Sequence, residues 1–122
     1  MSVEGMWAVY FGDVHGNEGA NSGIVVLETE RLFGGDSFIA YLGTYEAGGG
    51  AVSADFKTWA YNPTIVVQTA FGDVGPEPTM CRLEGAHDPN GGQMGTITGQ
   101  VWRVAHPEVK LPVHMMKVAE LP

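Results

Sequence analysis

Ala51-Val52-Ser53-Ala54-Asp55-Phe56-Lys57-Thr58 decides the fold class. Val52, Ala54, Phe56 and Thr58 fall on one face, and Ser53, Asp55 and Lys57 on the other. That period of two belongs to a half-buried strand. Just upstream, Gly48-Gly49-Gly50 reads as a flexible hairpin turn. Before it, Phe38 to Glu46 reads as a longer strand carrying Phe38, Tyr41 and Tyr45.

The same alternation continues toward the N-terminus. Gly34-Gly35-Asp36 reads as a structural turn, in which the Asp36 carboxylate accepts hydrogen bonds from turn amides. Arg31-Leu32-Phe33 precedes it, after a turn at Glu28-Thr29-Glu30. Gly23-Ile24-Val25-Val26-Leu27 is apolar on both faces, so this strand is expected to be covered on both sides, in part by a partner chain. Asp13 to Asn21 is nearly all turn-forming residues and reads as a loop. Gly5, Trp7, Val9 and Phe11 share one face of the first strand.

Toward the C-terminus the pattern first changes. Asn62-Pro63-Thr64 has the form of an N-cap with proline at the first helical position, and Gly72 supplies a stop. These signals predict a short helix near residues 63–72, against the strand preference of the β-branched run Thr64 to Val67. Gly75-Pro76-Glu77-Pro78 is a rigid connection. Met80 to His87 and Gln93 to Val104 form a hairpin around Asp88-Pro89-Asn90-Gly91-Gly92, and Val113 to Ala119 is a last strand. About eight short strands linked mostly by hairpins, with glycines inside them at Gly5, Gly43, Gly85 and Gly99, predict an all-β fold. The form expected is an eight-stranded up-and-down antiparallel barrel in a single domain, residues 1–122.

Composition narrows the function. Hydrophobic residues make up 44 % and charged residues 16 %, with 18 glycines, which argues against coiled coil and charge-driven disorder. No apolar run approaches the roughly 20 residues of a membrane span. The first residues lack the basic-then-apolar pattern of a secretory signal. Cys81 is the only cysteine, so an intrachain disulfide is impossible and a reducing, cytoplasmic location is expected. The net charge is −8, and the six basic residues are scattered singly, a poor match to a phosphate backbone. Nucleic-acid and membrane partners are therefore not expected.

Catalytic and metal-binding signals are equally thin. His15, His87, His106 and His114 form no spaced pair of the kind zinc sites use. Cys81 and His87 lie six residues apart on one strand, roughly 20 Å, too far for a nucleophile–base pair within it. Ser22 and Ser53 lack the setting of a hydrolase elbow, and the glycine runs match no phosphate loop. The chain is expected to be non-enzymatic, with no cofactor and no metal.

By Gly34-Gly35-Asp36 a family pattern has emerged. Gly5-Met6-Trp7 leading to Phe11, then Gly23-Ile24, Gly34-Gly35-Asp36, Tyr41, Gly43 and Asn62, resembles the GrlR family. Those are small bacterial negative regulators of type III secretion genes with a lipocalin-like barrel. The resemblance covers residues 5 to 62 and implies a homodimer that regulates by binding a transcriptional activator. One place departs: the family's acidic run after the Gly-Gly-Asp strand reads here Glu46-Ala47-Gly48-Gly49-Gly50, with a single acid. No activator-contact residue carries over from that motif.

Two functional expectations follow. A GrlR-like regulator would bind another protein through a surface made by Ile24, Val25, Leu27 and Phe33. Alternatively, Trp7, Phe11, Tyr41 and Phe56 would line a cavity for a small apolar ligand inside the barrel.

Overall fold

The computed structural model describes residues 2–12, 22–69 and 72–122. Among the described residues there are ten strands: β1 (Gly5–Phe11), β2 (Ser22–Glu28), β3 (Arg31–Gly35), β4 (Ile39–Gly48), β5 (Ala51–Ala60), β6 (Val67–Thr69), β7 (Gly72–Val74), β8 (Thr79–Asp88), β9 (Thr96–Arg103) and β10 (Leu111–Ala119). Eight of them close a barrel in the order β1-β10-β9-β8-β5-β4-β3-β2, every pairing antiparallel. Chain neighbours are barrel neighbours throughout, except where the β6–β7 hairpin is inserted between β5 and β8. No helix among the described residues is long and apolar enough to cross a membrane.

Tight turns set the register. Thr29 and Glu30 have φ of 48° and 66°, and Gly49 and Gly50 have 61° and 85°. Two consecutive positive φ values give a turn whose twist matches that of the flanking strands. Inside the ladders glycine has another task. A Cβ on Gly99 would lie 2.0 Å from the Glu84 carbonyl oxygen, and Gly99 faces Gly85 across β8–β9. Adjacent strands approach here more closely than any side chain allows, which is how the sheet curves enough to close.

The alternation read in β5 holds: Val52, Ala54, Phe56 and Thr58 are buried, while Ser53, Asp55 and Lys57 face out. Their inward neighbours from the other strands form one core, centred on Trp7, Val9, Leu27, Ile97 and Val101. Trp7 is wholly buried, and its Nε1–H donates to the Val3 carbonyl at 2.9 Å, which satisfies the one polar atom its ring carries inside.

The helix predicted near residues 63–72 is absent from the described part of that stretch; Ala70 and Phe71 lie outside it. Asn62 does act as a cap, with Oδ1 accepting from the Thr64 amide (3.0 Å) and hydroxyl (2.8 Å). The Ile65 amide closes the turn onto the Asn62 carbonyl at 3.3 Å. The β-branched residues then take over, and Val67 pairs with Val74 in the two-stranded β6–β7 sheet. Asn62 starts a turn of its own without committing the chain to a helix. The loop read at 13–21, with His15, also lies outside the described residues.

Candidate functional site

The outer faces of the barrel strands differ sharply around its circumference. Two cross-strand rungs run side by side over β1 to β5, the first continuing onto β10 and the second onto β8. One is Met116–Ala8–Ile24–Gly35–Ala40–Trp59, and the other runs Met6–Val26–Phe33–Leu42–Lys57–Met80. Apart from Lys57, every one of these residues is uncharged and apolar or small. The Lys57 ammonium sits at the β5 margin, 5.4 Å from the Trp59 ring centroid, so it is partly drawn into the aromatic edge. Met6, Ile24, Phe33, Leu42, Met80 and Met116 each stand 37–53 % exposed. At about 4.8 Å per strand, a rung of six strands extends about 24 Å around the barrel.

A charged rung borders this face. Glu28–Arg31–Thr44–Asp55–Arg82 follows the same ladders, with Arg31 paired to Glu28 at 2.5 Å and Arg82 to Asp55 at 2.7 Å. On the far side, the outer residues of β8 and β9 include Glu84, Gln100 and Thr98. A continuous apolar face with a polar rim is the anatomy of a protein-binding patch.

Ile24 and Phe33 belong to this face, and the pairing Val26↔Phe33 places them on adjacent rungs. Val25 and Leu27 do not. They point into the barrel and are 3 % and 1 % exposed, so their assignment to a partner surface is corrected here. Alternate residues of one strand must face opposite ways, and a strand apolar on both faces gives only half its residues to either. Residues that sequence reasoning missed are Met6, Val26, Leu42, Met80 and Met116. The signal was present in Met6, in the pair Ala40 and Leu42, and in Val26, all apolar residues between inward-facing ones.

Trp7, Phe11, Tyr41 and Phe56 all point inward. Phe11 meets Tyr41 edge-on at 5.8 Å between centroids, and Tyr41 meets Phe56 at 6.2 Å. The void left among Phe11, Tyr41, Phe56 and their neighbours is about 20 Å³. That is far below the roughly 300–1,000 Å³ of a small-molecule pocket, so among the described residues these rings pack against one another at this place.

Gly34 and Gly35 lie within β3, where a Cβ on Gly34 would come 2.0 Å from the Ile24 carbonyl oxygen. Asp36 holds the turn that follows. Its Oδ1 accepts from the Phe38 and Ile39 amides at 2.8 and 2.9 Å, and Oδ2 accepts from the Tyr41 hydroxyl at 3.4 Å. Burial and then the Asp36 carboxylate hold the Tyr41 phenol well above its ordinary value.

Among the described residues the cysteine and the histidines lie apart from one another. Cys81 is fully buried, and burial pushes its thiol up to about 11 despite the opposing pull of Arg103. His87 stacks edge-on against Trp7 at 5.9 Å. His106 is an exposed partner of Glu108 at 3.5 Å, and His114 faces outward on β10. Among the described residues no three His, Cys, Asp or Glu side chains gather as metal ligands would. Two buried polar atoms at the β6–β7 end, Thr58 Oγ1 and Arg103 Nε, have no hydrogen-bond partner. Each such group costs roughly 1–3 kcal/mol. No protein-family model matches the chain, and no curated protein matches its sequence.

Proposed function

We propose that this chain is a non-enzymatic, GrlR-like regulator of the cytoplasm, which acts by binding protein through the outer face of β1 to β4. Its partners are a second copy of the chain, giving a homodimer, and a regulatory protein of the transcriptional-activator kind. The observation that carries the reading is the pair of adjacent apolar rungs, interrupted only by Lys57 at their margin. Apolar area of this extent is stabilised by removal from water, at about 25 cal/mol per Å². The net charge of −8 supports a protein partner over nucleic acid.

Phe33→Asp and Leu42→Asp test it, because both side chains point away from the core. Light scattering after size exclusion should show the wild type as a dimer and each variant as a monomer, with unchanged far-ultraviolet circular dichroism. A wild type that is monomeric, and that retains no regulatory protein which the two variants lose, would remove the proposal.

A further inference from the structure

The end of the barrel away from the β6–β7 hairpin is indented. A groove of about 560 Å³ opens there between the segment before β1, the β2–β3 turn and the β4–β5 hairpin. That volume lies within the roughly 300–1,000 Å³ of small-molecule pockets. Its titratable lining is Glu4, Glu30, Tyr45 and His87, and among the described residues no lysine or arginine lines it. The hairpin side is bare backbone, since a Cβ at Gly48, Gly49 or Gly50 would meet nothing within 4 Å. No residue of the two apolar rungs takes part, so this is a surface separate from the outer face.

Glu4 and Glu30 are brought to one place by different means. Glu4 Oε2 accepts from the Thr29 amide at 2.8 Å and from the Thr29 hydroxyl at 3.4 Å, which leaves Oε1 unengaged among the described residues. Glu30 is fixed through its carbonyl, which accepts from the Tyr45 amide at 3.0 Å. No cation sits beside its carboxylate, because the neighbouring Arg31 is taken by Glu28. Both charges act on a common point, the Tyr45 phenol. Burial raises that phenol most, the Glu30 backbone opposes it, and the Glu4 and Glu30 carboxylates raise it further. Two exposed acids alone would be an ordinary solvated surface. These two share a groove with a tyrosine that is 6 % exposed.

His87 completes the lining. Its amide donates to the Gly50 carbonyl at 2.7 Å, and its ring meets Trp7 edge-on. Burial, and then Lys117, lower its pKa from 6.5, with Asp88 opposing them. At neutral pH the imidazole therefore offers an acceptor nitrogen and no charge. Lys117 is itself matched by Glu120 at 2.7 Å. The groove is thus anionic, with apolar wall contributed by Val3 and Val52.

We propose that this groove binds a small primary amine with an apolar body, its ammonium received by Glu4 and Glu30. An ammonium carries three donors and no acceptor, which suits two carboxylates and a neutral imidazole. The apolar body lies over Val3, Val52 and the glycine backbone of the hairpin. A zwitterion of the same shape is rejected, because its own carboxylate would face the two acids.

Phenethylamine at neutral pH is the probe, followed by amide nuclear magnetic resonance. Phenethyl alcohol is the neutral match, phenylalanine the zwitterion, and sodium chloride the ionic-strength reference. The amine should shift the Thr29, Glu30 and Gly50 amides saturably at millimolar concentration, with the alcohol and phenylalanine at least about fivefold weaker. Glu30→Gln should weaken amine binding about three- to fivefold and leave alcohol binding unchanged. Glu4→Gln, which keeps an acceptor oxygen for the Thr29 amide, should do the same, and the double variant should bind the amine no better than the alcohol. Circular dichroism of each variant should match the wild type. Alcohol binding as tight as amine binding, shifts reproduced by sodium chloride, no saturable shift at those amides, or amine affinity unchanged in a folded double variant would each overturn the proposal.

Discussion

Lys117 stands opposite Trp7 on the inner face of the β1–β10 ladder, and its ammonium leaves the interior only at its tip. The side chain is 3 % exposed, and Nζ meets the Glu120 carboxylate at 2.7 Å and the Ser2 carbonyl at 3.4 Å. The partners are unequal, since Glu120 is 65 % exposed. Removing the carboxylate strands a buried cation, whereas removing the cation leaves an acid that water solvates freely. Glu120→Gln should therefore cost about 1–2 kcal/mol, less than for a fully buried pair because water reaches the site. Lys117→Met should cost less than Glu120→Gln. Urea midpoints of the two variants check the order; the reverse order would show that the lysine acts through packing alone.

His87 gives the fold a pH dependence of defined sign. Burial, and then the Lys117 ammonium, lower its pKa from 6.5, while Asp88 opposes them. Just below that pH the unfolded chain binds more protons than the folded one. The stability that follows is complete above about pH 6.5, is lost as the pH falls through that value, and levels off once His87 is protonated in the folded state too. Urea midpoints measured at pH values on either side of 6.5 should fall toward acid in the wild type. Part of that fall should vanish in His87→Asn.

Neighbouring residues of β2 should respond oppositely to the same change. Val25→Asp places a carboxylate among apolar side chains with no partner, a penalty of several kcal/mol that should unfold the barrel. Ile24→Asp, one residue away and 40 % exposed, should change stability by no more than about 1 kcal/mol. Circular dichroism and thermal melts separate the two outcomes. Equal loss in both would mean that Ile24 is structurally required on its own face.

Much of this architecture was legible because the barrel strands keep a strict period of two. β5 could be read residue by residue, and the hairpin at Gly49-Gly50 followed from turn chemistry, whereas Thr29 and Glu30 take positive φ without being residues that favour it. What escaped were features set by tertiary context. Asn62 and Gly72 carry the same signals at a helix end as at a turn, so only the pairing of Val67 with Val74 decides between them. The candidate face was half legible. An apolar run such as Ile24 to Leu27 announces two buried faces, yet it leaves open which residues point inward until the neighbouring strand sets the phase. The apolar rungs join residues from seven strands, a grouping that appears only when the barrel closes. The unpaired atoms of Thr58 and Arg103 leave no sequence signal at all.

Glycine serves two unrelated purposes here, and one pair of substitutions separates them. Gly49 adopts φ of +61° in the β4–β5 turn, and nothing lies within 4 Å of where its Cβ would be. Its requirement is purely conformational, and asparagine meets it, because an Asn-Gly pair suits this turn and restricts the unfolded chain. Gly49→Asn should leave stability unchanged or raise it by up to about 1 kcal/mol. Gly99 has no positive φ, but a Cβ there would meet the Glu84 carbonyl oxygen at 2.0 Å and the Gly85 Cα at 2.5 Å. Those neighbours are backbone and cannot rotate away, so Gly99→Ala must push β8 from β9 and should cost about 3 kcal/mol. Thermal melts of both variants, with amide exchange of Gly85 and Glu84 as the local readout, check the contrast. A harmless Gly99→Ala would mean that the barrel closes with slack between β8 and β9, and that its curvature there is not set by the missing side chains.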